Sequence, residues 1–212
     1  SETTGGPPPL LGETPRDLTL ADAMALERSS AVRRVAPVMV GSAPVARDGL
    51  SRETVILGST AAMADVRNLS MSQGRFLPAG DVSRAEAVCV LGQKLKTELF
   101  AKHSPLGRFV RIGDRRFRVI GVLARKGQSL GVDISDVAII PVASAQAVFN
   151  TESMFRILIQ ARGREAVEPA KRAVTRVLKV PRNVALLGGA SALALLTLVG
   201  FYVFGLFHHP VQ

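Results

Sequence analysis

A chain of 212 residues has room for one packed domain with further segments attached, and its single cysteine excludes an intrachain disulfide. Its 27 Lys and Arg against 17 Asp and Glu give a net charge of +10, a balance that raises nucleic acid as a partner. The basic residues fall as scattered pairs between apolar runs (Arg33-Arg34, Arg115-Arg116, Lys171-Arg172), and one Tyr with no Trp leaves little for bases to stack on, so no nucleic acid is expected.

The opening SETTGGPPPLLGETP is rich in Pro, Gly and Thr and reads as a flexible lead over residues 1–17. A helix is expected from Thr19, with Thr19 as its cap and Asp22 completing a capping box. Two strands follow, over 34–46 and 54–58, turning at Asp48-Gly49. Pro37 and Pro44 predict that the first of them is an edge strand or is broken. A short helix near Ala61 to Val66 leads to a turn-rich segment from Gly74 to Asp81. Ala87 to Leu91 is a short buried strand, in which the lone Cys89 acts as a small hydrophobe. Gln93 to Phe100 is a helix. Arg108 to Ile112 and Arg115 to Leu123 form a second hairpin around Gly113-Asp114, with Phe117 and Val119 on one face and Arg116 and Arg118 on the other. Further elements are a strand at Val137 to Pro141, a helix at Val142 to Phe149, a strand at Met154 to Ala161 and a helix at Arg164 to Lys179. The last carries Val167, Ala170, Val174 and Leu178 on one stripe. Strands and helices alternate with hairpins interspersed, which predicts an α+β domain of mixed α/β layers.

From Val184 to Phe207 there is no formal charge, VALLGGASALALLTLVGFYVFGLF. As a helix this segment is about 36 Å long, enough to cross a hydrocarbon core of roughly 30 Å, so a membrane helix with a short tail at 208–212 is expected. Gly188 with Ala192, and Ala190 with Ala194, place small residues at four-residue spacing, which would let a second helix approach. Membrane lipid is therefore an expected partner, and anionic headgroups suit the positive charge. Arg176, Lys179 and Arg182 precede the segment and only His208 and His209 follow it. Taken alone, that bias orients the domain to the cytoplasm.

Catalytic patterns are sparse. Gly127-Gln128-Ser129-Leu130-Gly131 satisfies G-x-S-x-G, but the following segment, Asp133 to Ile140, reads as a strand where a nucleophile elbow needs a helix. The only histidines beyond it lie past the apolar segment, so the reading is a loop. No phosphate-binding G-x-x-x-x-G-K-[ST] and no zinc spacing occur, and His103 stands alone before Pro105. Asp133 and Asp136 could hold a cation weakly, or serve in turn formation and capping. The expectation is a domain that is not an enzyme and carries no cofactor or metal.

Several runs in order resemble the MacB-like periplasmic core domain of ABC transporter permeases, the macrolide-exporter and lipoprotein-release type. They are Leu18-Thr19-Leu20-Ala21-Asp22-Ala23, Gly74-Arg75-Phe76 followed by Asp81, Val90-Leu91-Gly92 and Glu98-Leu99-Phe100. Pro105-Leu106-Gly107, Phe117 to Leu123, the loop Lys126-Gly127 with Asp133 and Asp136, and Ile140-Pro141 continue the series. The resemblance covers residues 18–180. It implies a periplasmic domain held at the bacterial inner membrane, which relays movement driven by ATP hydrolysis rather than making or breaking bonds. Other membrane-protein subunits, including a separate ATP-binding subunit, are the implied partners. Set against the family pattern, the chain is expected to lack the first membrane helix and first strand, and the charged segment that meets the ATPase. The alternative expectation is a single-pass accessory subunit of another membrane complex that uses the fold as an interaction module.

Overall fold

Val32–Arg47 runs as one strand, β1, of 16 residues, and the other elements are arranged around it. The structure, a computed structural model, describes residues 17–124, 128–129 and 132–178. Ahead of β1 stands α1, Leu20–Glu27, with the predicted capping box. The Thr19 hydroxyl accepts from the Asp22 amide, and the Asp22 carboxylate accepts from the Thr19 amide at 2.9 Å. β1 turns through Asp48-Gly49, both at positive φ, into β2, Leu50–Ser59. That pair is the favoured chemistry for a two-residue hairpin loop.

The chain continues through α2 (Ala62–Val66), β3 (Met71–Gly74), β4 (Val88–Leu91), α3 (Gln93–Phe100), β5 (Phe109–Ile112) and β6 (Arg115–Leu123). A small ribbon of β7 (Gln128–Ser129) and β8 (Val132–Asp133) precedes a 3-10 turn, Ile134–Asp136, and β9 (Val137–Pro141). The remaining elements are α4 (Val142–Phe149), β10 (Arg156–Ala161), a 3-10 turn at Arg164–Ala166 and α5 (Val167–Leu178).

Six strands close on themselves in the order β1, β2, β9, β4, β6, β5 and back to β1, where Val45 faces Ile112 and Ala46 faces Arg111. Alternate residues of every strand point into this ring, among them Val45, Ile56, Cys89, Leu91, Ile112, Phe117, Val119 and Ile140. Leu95, Leu99 and Phe100 of α3 and Ala145 of α4 join the same cluster. Outside the ring, Met63 and Val66 of α2 pack with Leu57, Val90 and Ile139. A third cluster joins Leu26 of α1 and Val174 and Leu178 of α5 to Val32, Val35 and Ile159. β1 alone of the strands contributes to all three, because it pairs with β10 over its first half and with β2 over its second.

Four expectations need correction. β1 is unbroken at its prolines, and it is not an edge strand over its length: β2 pairs with one flank, and β10 and then β5 pair with the other on either side of a short gap. The Pro37 carbonyl accepts from the Ser59 hydroxyl, on the flank opposite β10, and the Pro44 carbonyl accepts from the Gly113 amide. In a strand the nitrogen of a residue points the same way as its carbonyl, so neither proline interrupts a ladder. β3 lacks apolar alternation and is missing from the sequence expectation; β6 recruits it through backbone pairing of Gln73 and Gly74. The predicted strand from Asp133 to Ile140 is really β8, a 3-10 turn and β9. The last helix likewise opens with a 3-10 turn, so α5 starts at Val167. The segment 184–207 lies outside the described residues, and no helix among those residues is long and apolar enough to cross a membrane.

Cys89 is fully buried, and burial pushes its thiol well above the ordinary range. The folded protein should therefore resist thiol reagents, with labelling appearing only as the chain unfolds in urea. The folded state keeps its proton where the unfolded thiol loses it. Stability should accordingly fall as pH rises past the ordinary thiol value, a trend that Cys89→Ala removes.

Candidate functional site

The family-like run Val90-Leu91-Gly92 ends where β4 passes the chain to α3. A Cβ on Gly92 would lie 2.4 Å from the Ser135 carbonyl oxygen and 2.6 Å from that of Ile134. The Gly92 amide donates to the Val137 carbonyl at 2.8 Å. Only a residue without a side chain lets the 3-10 turn lie against the start of α3.

That turn carries both predicted acidic residues. Asp133 caps it, accepting from the Ser135 amide at 2.9 Å. The Ser135 hydroxyl and amide, with Lys94 nearby, hold the Asp133 carboxyl below the usual carboxylate range. Asp81, in the turn-rich segment, is held low in the same way by Ser83. Both caps stabilise the fold above the ordinary carboxylate pKa and lose that contribution as pH falls.

Asp136 works differently. One of its oxygens accepts from Lys94 Nζ at 2.9 Å and from the Arg52 guanidinium, which also pairs with Glu98. Its other oxygen is buried and has no hydrogen-bond partner among the described residues. Four charges thus clamp β2, α3 and the turn before β9. The cations Arg52 and Lys94 occupy the place a bound metal would need, and among the described residues no three His, Cys, Asp or Glu gather as ligands. Asp133 takes the capping role, whereas Asp136 is ion-paired, a role that the sequence reading did not include. Arg52, 84 positions from Asp136, gave no sequence signal of its part in this junction. Asp136→Asn should lower the unfolding free energy by about 1 kcal/mol in urea titration, a modest figure because the partners are partly solvated. The loss should shrink at high salt.

A cleft of ≈ 220 Å³ opens between α1 and the segment after Leu77, walled by Leu20, Met24, Leu77, Pro78, Val82 and Val142. The Thr60 hydroxyl, also on this cleft, is buried without a hydrogen-bond partner among the described residues. Other predicted positions are not brought together. Ser129 pairs with Val132 in the β7–β8 ribbon, so no strand-to-helix elbow forms there. His103 sits in the loop after α3, its amide on the Phe100 carbonyl. Lys126 and Gly127 lie outside the described residues, as do Gly188, Ala190, Ala192 and Ala194.

The fold and its junctions define a mixed α/β module in which charged groups such as Arg52, Lys94, Glu98 and Asp136 hold elements together. The chain belongs to the MacB-like periplasmic core domain family, whose sequence profile matches residues 2–177. A pyoverdine export ATP-binding/permease protein, PvdT, of Pseudomonas putida is 31% identical over 177 residues, covering 82% of this chain and 27% of that protein. A macrolide export ATP-binding/permease protein, MacB, of Syntrophobacter fumaroxidans is 35% identical over 127 residues, or 56% of this chain and 18% of that protein. The chain thus spans about a quarter of the length of the curated relatives it matches. Among solved structures, the periplasmic region of MacB from Actinobacillus actinomycetemcomitans superposes with a TM-score of 0.67 at 27% identity, covering 77% of this chain and 73% of that one. The extracellular domain of the transporter YknZ from Gram-positive bacteria gives the same TM-score, 0.67, at 22% identity, covering 77% of this chain and 83% of that one, and shows the shared fold.

Proposed function

We propose that this chain is a non-enzymatic extracytoplasmic domain of an ABC-transporter-permease-like membrane protein, which relays conformational change and contacts partners in a transport assembly. The match of the family profile to residues 2–177 carries this reading. A physical observation supports it: β1 runs through all three clusters, so the α1–α5 end and the β5–β6 end are joined by one covalent rod. A relay needs such a stiff path. The segment from Val184 to Phe207 would hold the domain at the inner membrane, and an ATP-binding part, on the same polypeptide or another, would drive it.

Cys89 is buried and makes the chain a convenient reporter of sidedness. Glu152→Cys adds an exposed thiol. In intact cells a membrane-impermeant maleimide should label this variant, and an ATP-hydrolysing component should co-purify with the chain. Labelling that requires cell lysis would refute the extracytoplasmic placement. Bulky substitutions at Gly188 and Ala192 separate the two roles of the apolar segment. An accessory subunit assembled through that segment would lose its complex, whereas a simple anchor would not.

A further inference from the structure

The arginines that look scattered in sequence converge in the fold. In the β5–β6 hairpin Val110, Ile112, Phe117 and Val119 point into the ring, so the alternate residues point out. Arg111 faces Arg116 directly across the hairpin, and Phe109 faces Arg118. The Arg116 guanidinium lies 3.8 Å from the Phe109 ring centroid. Arg75, against β6, lines a shallow depression with Leu106 and Arg118. Like charges set opposite each other on a strand pair cost stability. No ion pair offsets them: Arg75, Arg108, Arg111, Arg116 and Arg118 form none among the described residues, and Asp114, 3.9 Å from Arg115 at the turn, is the only acid on the hairpin.

We infer that the outer face of the β5–β6 hairpin is a docking surface for an acidic protein segment, whose carboxylates pair with Arg111, Arg116 and Arg118. Charge complementarity sets the sign of the occupant, and residue type sets its class. β5 and β6 hold arginines and no lysine, and the planar guanidinium fork matches a carboxylate in two-point contact. Phe109 and Leu106 are exposed among them, at 45% and 38%. Arginine and aromatic residues together characterise protein interfaces, whereas attraction to lipid headgroups needs charge alone. Position argues the same way. This face joins β1 at Val45 and Ala46, about 35 Å of strand from the Val35 region where α5 packs. It is therefore remote from α5, which ends at Leu178. The inference rests on the reading of this domain as a contact module and names the surface that makes the contact.

The test uses the full chain in detergent and a fluorescein-labelled oligoglutamate peptide, with phosphatidylglycerol vesicles as the competing probe. Anisotropy should show peptide binding that weakens as salt rises. Arg111→Gln with Arg116→Gln should weaken it about tenfold, whereas Arg172→Gln with Arg176→Gln, the same charge loss on α5, should change it less than about twofold. Equal losses from the two pairs would mean attraction to net charge only and would overturn the site. So would vesicle binding that depends on Arg111 and Arg116 while peptide binding does not. Urea midpoints confirm that each variant is folded, and Arg75→Gln with Arg118→Gln replaces the first pair if that variant is not. Failure here leaves the maleimide and co-purification results untouched, so the two readings fail separately.

Discussion

Gly92→Ala should lower the unfolding free energy by about 3 kcal/mol, at the upper end of what overpacking costs in a close-packed interior. The added methyl meets backbone rather than a movable side chain: the Ser135 carbonyl oxygen at 2.4 Å, its carbon at 2.5 Å and the Ile134 oxygen at 2.6 Å. Relief requires moving the 3-10 turn away from α3. The same shift strains the Gly92-to-Val137 hydrogen bond and the pairing of Asp136 with Lys94 and Arg52. Urea unfolding at fixed pH measures the effect. Gly80→Ala supplies the control, since a Cβ there meets nothing within 4 Å, and a change below about 0.5 kcal/mol is expected. Equal effects at the two sites would show that loss of glycine itself, not the contact with the turn, sets the cost.

Phe100→Ala should be costlier still, about 4 kcal/mol, by the transfer and cavity terms of a large buried ring. Phe100 is 2% exposed and packs at the end of α3 with Phe117, Leu95 and Leu99 in the cluster inside the six-stranded ring. Its ring also lies under Arg47, whose guanidinium is 4.2 Å from the centroid and donates to the Leu99 carbonyl at 2.9 Å. Phe100→Leu keeps most of the apolar volume and should lose about 1.5 kcal/mol. A small loss for both variants would mean that α3 closes over the gap, and that the ring interior does not depend on this plug.

What was legible in the chain follows from how locally each element is specified. Asp48-Gly49 and Gly113-Asp114 announce their hairpins because the turn chemistry lies in the pair itself. Phe117 and Val119 announce the inner face because strand side chains alternate with period two. The capping box at Thr19 is likewise complete within four residues. Features that depend on distant partners left no such mark. The return of β5 to β1, which turns the hairpins into a ring, is carried by Val45 with Ile112 and Ala46 with Arg111. The junction at Asp136 draws Lys94 from 42 positions away. The arginines of β5 and β6 look like isolated pairs until alternation and cross-strand register bring them to one surface. The motif runs near Gly74, Gly92 and Phe100 pointed to the right places without saying why. The close approach of the turn to Gly92 supplies a reason for one of them.

The two prolines of β1 also have a meaning for the protein as a population of molecules. Between its pairing with β10, which ends at Val38, and its pairing with β5, which begins at Val45, one flank of β1 has no strand beside it among the described residues. Val40 is exposed along this stretch. An open flank with apolar character invites a strand from a neighbouring molecule and, from there, sheet growth between chains. Pro44 stands in the gap with its nitrogen turned outwards and offers an incoming strand no donor. Pro37 does the same on the other flank, just past the end of β2. The longest strand of the fold thus carries its own guard against pairing with a second molecule.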